Sequence, residues 1–183
     1  MTRQEALDSI KANVGNENLV KHMLATEAIM RALARRLGGD KEEWGLTGLL
    51  HDIDAELTSG DMNTHSKLGA DLARELGATE AMAHAILCHN EAHGVPRETE
   101  LDKALFCADP LTGLIIAAAL VRPDKRLASV EAKSVKKRFK EKSFAAGANR
   151  EQIARCSELG LELDEFIELG LEAMQGIAAK LGL

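Results

Sequence analysis

The adjacent pair His51-Asp52, at the end of the apolar run Leu46-Thr47-Gly48-Leu49-Leu50, offers two metal-ligating side chains from neighbouring positions. His22 precedes it, and His65, His89 and Asp109 follow at intervals that helices can bring to one place. Imidazole nitrogens and carboxylate oxygens, with no cysteine needed, suit hard or borderline divalent ions. A carboxylate has two oxygens and can bridge two ions. Two ions about 3.5–4 Å apart would activate a bridging hydroxide and neutralise a phosphoryl group during in-line attack. Four histidines and two aspartates on inward faces are expensive to bury without a shared partner, and a metal is the simplest one.

The elements that must position these groups read as helices throughout. Only three prolines occur in 183 residues, and Ala, Leu, Glu and Lys are abundant, so the expected class is all-α. Asn16 is placed to cap a helix reaching about Leu37, which Gly38-Gly39 ends. Asp40 with Glu43 resembles a capping box for the helix that runs into His51. Further helices are expected over about 65–76, from Thr79 to about Asn90, and from Thr99 to Asp109. Pro110 is expected to interrupt the last of these, with Leu111 to Val121 following as a new or kinked segment. Beyond Pro123, helices are expected over Ser129 to Phe144, Asn149 to Leu159 and Leu163 to Leu181. The reading is a single domain over 1–183, with a core at about 17–122 and a helical extension at about 126–183. The apolar stripe of the final helix would serve a homodimer as well as a core.

Composition narrows the function classes. Apolar residues at 45% and charged residues at 28% are ordinary for a globular protein. No continuous apolar run approaches the roughly 20 residues that span a bilayer, and no signal-like apolar segment opens the chain. Cys88, Cys107 and Cys156 are odd in number and widely spaced, as reduced thiols of a cytoplasmic protein would be. Aromatics are 3% with no tyrosine, which argues against base stacking, so no nucleic-acid partner is expected. The net charge of −6 conceals a basic stretch at 122–142, with nine basic residues against three acidic ones. That stretch reads either as a solvated helix face or as a means of holding an anion near a metal.

The ordered pattern His22, His51-Asp52, Asp109 resembles the HD-domain superfamily of metal-dependent phosphohydrolases. His65 and His89 fit the two additional ligands of its binuclear members. The local contexts agree: Gly48-Leu49-Leu50-His51-Asp52, His65 with Gly69-Ala70, Ala85-Ile86 before His89-Asn90, and Leu101-Asp102-Lys103 running to Ala108-Asp109. The arrangement is similar to the HD-type diadenosine tetraphosphate hydrolases over about residues 17–122. The resemblance implies an all-α HD bundle and two divalent ions, iron or manganese, with magnesium, cobalt or nickel as alternatives. His22, His51, Asp52 and Asp109 would hold one ion, and Asp52, His65 and His89 the other. The implied substrate is a small phosphate ester or anhydride, a nucleotide above all. Asp54 and His93 are candidates for assisting the leaving group or a metal-bound water. Many relatives carry a lysine where this chain has Ala55, so a phosphate clamp would have to come from Lys103, Arg122, Lys133 or Lys137. The Gly-Tyr-Pro signature of cyclic dinucleotide phosphodiesterases is missing. Two other readings share the ligands or the fold: a mixed-valent di-iron oxygenase, which usually keeps that lysine, and a non-catalytic regulatory module that engages a partner through the basic helix.

Overall fold

Polar capping residues start most of the helices, and each helix then turns its apolar stripe inward. A computed structural model describes all of residues 1–183. It contains ten α-helices, three short 3-10 segments and no strand. The helices are α1 (Arg3–Asn13), α2 (Glu17–Leu37), α3 (Lys41–Leu50), α4 (Lys67–Glu75), α5 (Glu80–Cys88), α6 (Glu100–Leu120), α7 (Ala132–Lys140), α8 (Arg150–Ala154), α9 (Leu163–Gln175) and α10 (Ala178–Leu181). Asn16 caps α2 by accepting from the amides of Asn18 and Leu19. Asp40 accepts from the amides of Glu42 and Glu43, but Glu43 does not complete a capping box. Its carboxylate instead accepts from the Thr79 hydroxyl at the start of α5. Thr99 and Asp102 do form the reciprocal box at the start of α6.

Two buried apolar clusters lie side by side. The larger is built on α6, with Ile29, Met30 and Leu33 of α2 and Phe166, Ile167 and Met174 of α9. The smaller gathers Ile10, Met23, Leu49, Leu50, Ile53, Met82 and Ile86. Leu24 packs against both. Helix α6 is long and apolar enough by composition to cross a membrane, yet here it is the central core helix.

Pro110 does not break α6, contrary to the expectation from sequence. The helix is continuous from Glu100 to Leu120, and Asp109 sits inside it rather than at its end. An interior proline costs on the order of 3 kcal/mol. Leu111, Leu114 and Ile115 are completely buried just beyond it, each contributing roughly 1.5–3 kcal/mol. Burial of that face therefore outweighs the lost hydrogen bond. The C-terminal elements are more broken than the periodicity predicts. The basic helix shrinks to α7, the next becomes α8 with a 3-10 turn over Arg155–Leu159, and the last divides into α9 and α10. The loop between α7 and α8 wraps around the Arg150 guanidinium, which donates to the carbonyls of Phe139, Ala145, Ala148, Arg138, Glu141 and Phe144.

Candidate metal centre

The contact between α2 and α3 is close because Gly48 has no side chain. A Cβ there would stand 2.8 Å from Met30 Cγ, 3.0 Å from the Thr26 carbonyl oxygen and 3.1 Å from the Glu27 nitrogen. That approach brings His51, at the C-terminal cap of α3, beside His22 on α2. Their Nε2 atoms are 3.1 Å apart. Asp109 Oδ1 lies 3.1 Å from His22 Nε2 and 3.8 Å from His51 Nε2. Asp52 Oδ2 is 3.5 Å from each of these two nitrogens. The other Asp52 oxygen, Oδ1, faces away from this group, 3.4 Å from His65 Nε2 and 3.6 Å from His89 Nε2. All six residues singled out in the sequence thus converge, with the Asp52 carboxylate between two sets of imidazoles.

The far side of each ring decides which nitrogen faces inward. His51 Nδ1–H donates to the Gly48 carbonyl at 2.8 Å, and His89 Nδ1–H donates to the Ile86 carbonyl at 2.5 Å. His22 Nδ1–H donates to the Thr112 hydroxyl oxygen at 2.8 Å, because that hydroxyl spends its own proton on the Asp109 carbonyl. His65 Nδ1–H donates to Asp54 Oδ1 at 2.9 Å. In neutral rings the inward Nε2 atoms therefore carry bare lone pairs. Two such lone pairs 3.1 Å apart repel unless a proton or a cation lies between them. A metal with bonds of about 2.1 Å places neighbouring ligands about 3.0 Å apart in an octahedron and about 3.4 Å apart in a tetrahedron. The observed spacings, 3.1–3.8 Å, lie at or a little above those values, so the donor set fits a divalent ion.

Charge points the same way. Burial would raise the Asp52 carboxyl, but the facing His51, His89 and His22 rings hold it below the usual carboxylate range. Asp109, also raised by burial, is held well below that range by His22 and His51. Burial disfavours a charged His51, yet Asp52 and Asp109 push it up to about 9. The pocket calls for positive charge, and protons compete with a metal for the same lone pairs.

Other candidates fall elsewhere. Asp54 is completely buried and both its oxygens are committed: Oδ1 to His65, and Oδ2 to the amides of Ser66 at 2.7 Å and Gly69 at 2.9 Å. It orients His65 and does not reach the space between the ligands. His93 Nε2 donates to the His65 carbonyl at 2.6 Å and so braces the backbone. An open cleft of about 430 Å3 is lined by Asp52, His65, His89 and Asp109 together with Met62, Asn90, Glu91, Ala92 and Gln152. Lys103, Arg122, Lys133 and Lys137 are all absent from its lining. Lys103 lies six residues before Asp109 on α6, about 120° around the helix from it. Arg122 is exposed and donates to Ser129, Lys133 lines a separate hollow with Lys136 and Asp164, and Lys137 is exposed.

Several supporting residues escaped the sequence reading. Thr112 was discoverable as the residue three positions after Asp109 on the same helical face. Asn90 donates to the carbonyls of Met62 and His65, fastening the turn that carries His65 to the end of α5. Ser66, buried with a left-handed φ of 68°, gave no signal, since nothing in its type marks a non-glycine residue for that region.

A family model described as HD domain matches residues 19–138, extending past the expected core into α7. Among curated proteins, Ribonuclease Y of Lawsonia intracellularis is 32% identical over 63% of this chain and 21% of its own length. Ribonuclease Y of Oleidesulfovibrio alaskensis is 30% identical over 74% of this chain and 26% of its own. That of Thermobifida fusca is 33% identical over 75% of this chain and 26% of its own. The chain thus spans about a quarter of the length of these relatives. No solved structure matches. The relatives' names overturn the expectation of a small nucleotide substrate with no nucleic-acid partner. The physical reason lies in what the composition tested: scarce aromatics argue only against recognition by base stacking, whereas contact through backbone phosphates needs none. With the match covering most of the chain and the His22, His51-Asp52, Asp109 grouping in place, this protein belongs to the HD domain family.

Proposed function

We propose that the chain is a metal-dependent phosphohydrolase that cleaves phosphodiester bonds in RNA. The observation that carries this reading is the Asp52 carboxylate, one oxygen turned to His22 and His51 and the other to His65 and His89. Divalent ions, two in this reading and iron or manganese by the family resemblance, would supply Lewis acidity and a water of lowered pKa at neutral pH. His22, His51, Asp52 and Asp109 hold one position, and Asp52, His65 and His89 the other. Thr112, the Gly48 carbonyl, Asp54 and the Ile86 carbonyl keep each ring in the tautomer that ligation needs. The choice of RNA rests on the names of the relatives, and the cleft beside Asp52, His65, His89 and Asp109 is open to solvent.

No lysine or arginine lines the cleft, so in this reading a phosphate there is held by the metal centre and by the side-chain amide of Gln152. Metal removal should therefore weaken RNA binding as well as abolish cleavage. The test is a labelled single-stranded RNA incubated with manganese- or iron-loaded protein, with and without chelator, beside Asp52→Ala. Cleavage that needs metal and Asp52 is expected. Protein shown to contain metal that leaves RNA intact would end this reading.

A further inference from the structure

We propose that His84, Cys88 and Asp102 form a separate metal position, suited to zinc, that fastens α5 to α6. It is independent of the reading above and uses none of the residues of the cleft. His84 and Cys88 are four residues apart on α5 and so share one face, which looks onto Asp102 near the start of α6. One donor atom from each of the three lies within 4.8 Å of the other two. Asp102 Oδ2 is fully used, accepting from the amides of Glu98 and Thr99 at 2.9 Å each. Its other oxygen, Oδ1, is buried in a residue with no exposed surface and accepts no hydrogen bond. Protein interiors rarely leave such an atom unpaired, and each instance calls for an explanation.

That oxygen is aimed at His84 Nδ1, 3.2 Å away, close to the roughly 3.3 Å expected between nitrogen and oxygen ligands of a tetrahedral zinc ion. A mixed nitrogen, sulfur and oxygen set favours zinc over the harder ions that suit the cleft. The His84 side chain is 34% exposed, which gives an ion a way in and leaves a fourth position for water. Coordination requires the Cys88 thiol to give its proton to solvent. Arg97, which donates to the Cys88 carbonyl at 3.3 Å, is the neighbouring cation that the ion has to tolerate. Asp102 and the thiolate together outweigh it. Because α5 leads into His89 and α6 carries Asp109, an ion here would fix the spacing of the two helices that bound one side of the cleft.

The test is titration of the full chain with cobalt(II), read by the near-ultraviolet charge-transfer absorption that only a cysteinate ligand produces. The nitrogen and oxygen donors of the cleft cannot give that band. It is expected in the wild type and in Asp52→Ala, to be bleached by zinc, and to disappear in Cys88→Ser. The half-buried position His84, changed in His84→Gln, lies outside the apolar core, and this variant is expected to weaken cobalt binding at this position at least tenfold, so the proposal stays testable if Cys88→Ser fails to fold. A wild type that binds cobalt without the band, or a band that survives Cys88→Ser, overturns the proposal. So does an unchanged cobalt affinity in His84→Gln. His84 and Asp102 would then be a plain ion pair.

Discussion

A neutral imidazole offers one lone pair, and in this cleft the group behind each ring decides where it points. The least obvious of these is Thr112, whose hydroxyl accepts a hydrogen bond from His22 Nδ1–H and donates one to the Asp109 carbonyl. Such supporting partners typically account for 10–100-fold in metal affinity. Thr112→Val, which keeps the shape and removes the hydroxyl, should lower the affinity of the cleft for manganese about 10–100-fold. Competition with a coloured chelator measures this, and an unchanged affinity would show that His22 is oriented by packing alone. Asp54 acts at the same remove from the chemistry. Its burial beneath two backbone amides and His65 makes it a positioning residue, although its place beside His51-Asp52 suggested a more direct part.

Among the elements, α2 and α3 do most to assemble the cleft, and Gly48 sets their separation. In Gly48→Ala the new methyl would press on the backbone of α2 at Thr26 and Glu27. Backbone cannot step aside as the end of a side chain can, so a loss of about 1–3 kcal/mol is expected, with weaker metal binding because His51 moves away from His22. Urea denaturation of metal-free protein gives the first quantity; an unaltered midpoint would mean that the two helices slide apart at no cost. The sequence made these helices visible because caps such as Asn16, Asp40 and Thr99 and the spacing of apolar residues are local signals. It also picked out the six converging residues, whose types are unusual on inward faces. What stayed hidden depends on contacts distant along the chain. Burial of Leu111, Leu114 and Ile115 holds α6 together across Pro110, a tertiary effect that no local rule at the proline reveals. The basic residues of 122–142 were near the ligands only in sequence order, and the fold turns them elsewhere.

At the scale of the molecule, three buried thiols make stability depend on alkaline pH. Burial and the nearby Asp102 push Cys88 from 9.0 up to about 12, and burial with Glu162 pushes Cys156 from 9.0 to about 11. In metal-free protein, native thiols therefore keep their protons where unfolded ones lose them. Their contribution is fully present below pH 9 and is lost as pH rises through 9 towards 11–12. The urea midpoint should fall over that interval, and the fall should be shallower in a Cys88→Ala, Cys156→Ala double variant. Equal slopes in the two proteins would assign the loss to other groups.

The two apolar clusters also bear on what the cleft does for the protein itself. His51 and Asp52 extend from the smaller cluster, beside Leu49, Leu50 and Ile53, whereas Asp109 stands between Ala108 and Leu111 of the larger. Candidate ligands drawn from both sides meet along the seam, so a dication seated there would be a non-covalent rivet joining two oily halves. By linkage, the more tightly such an ion bound, the more it would resist separation of the two halves.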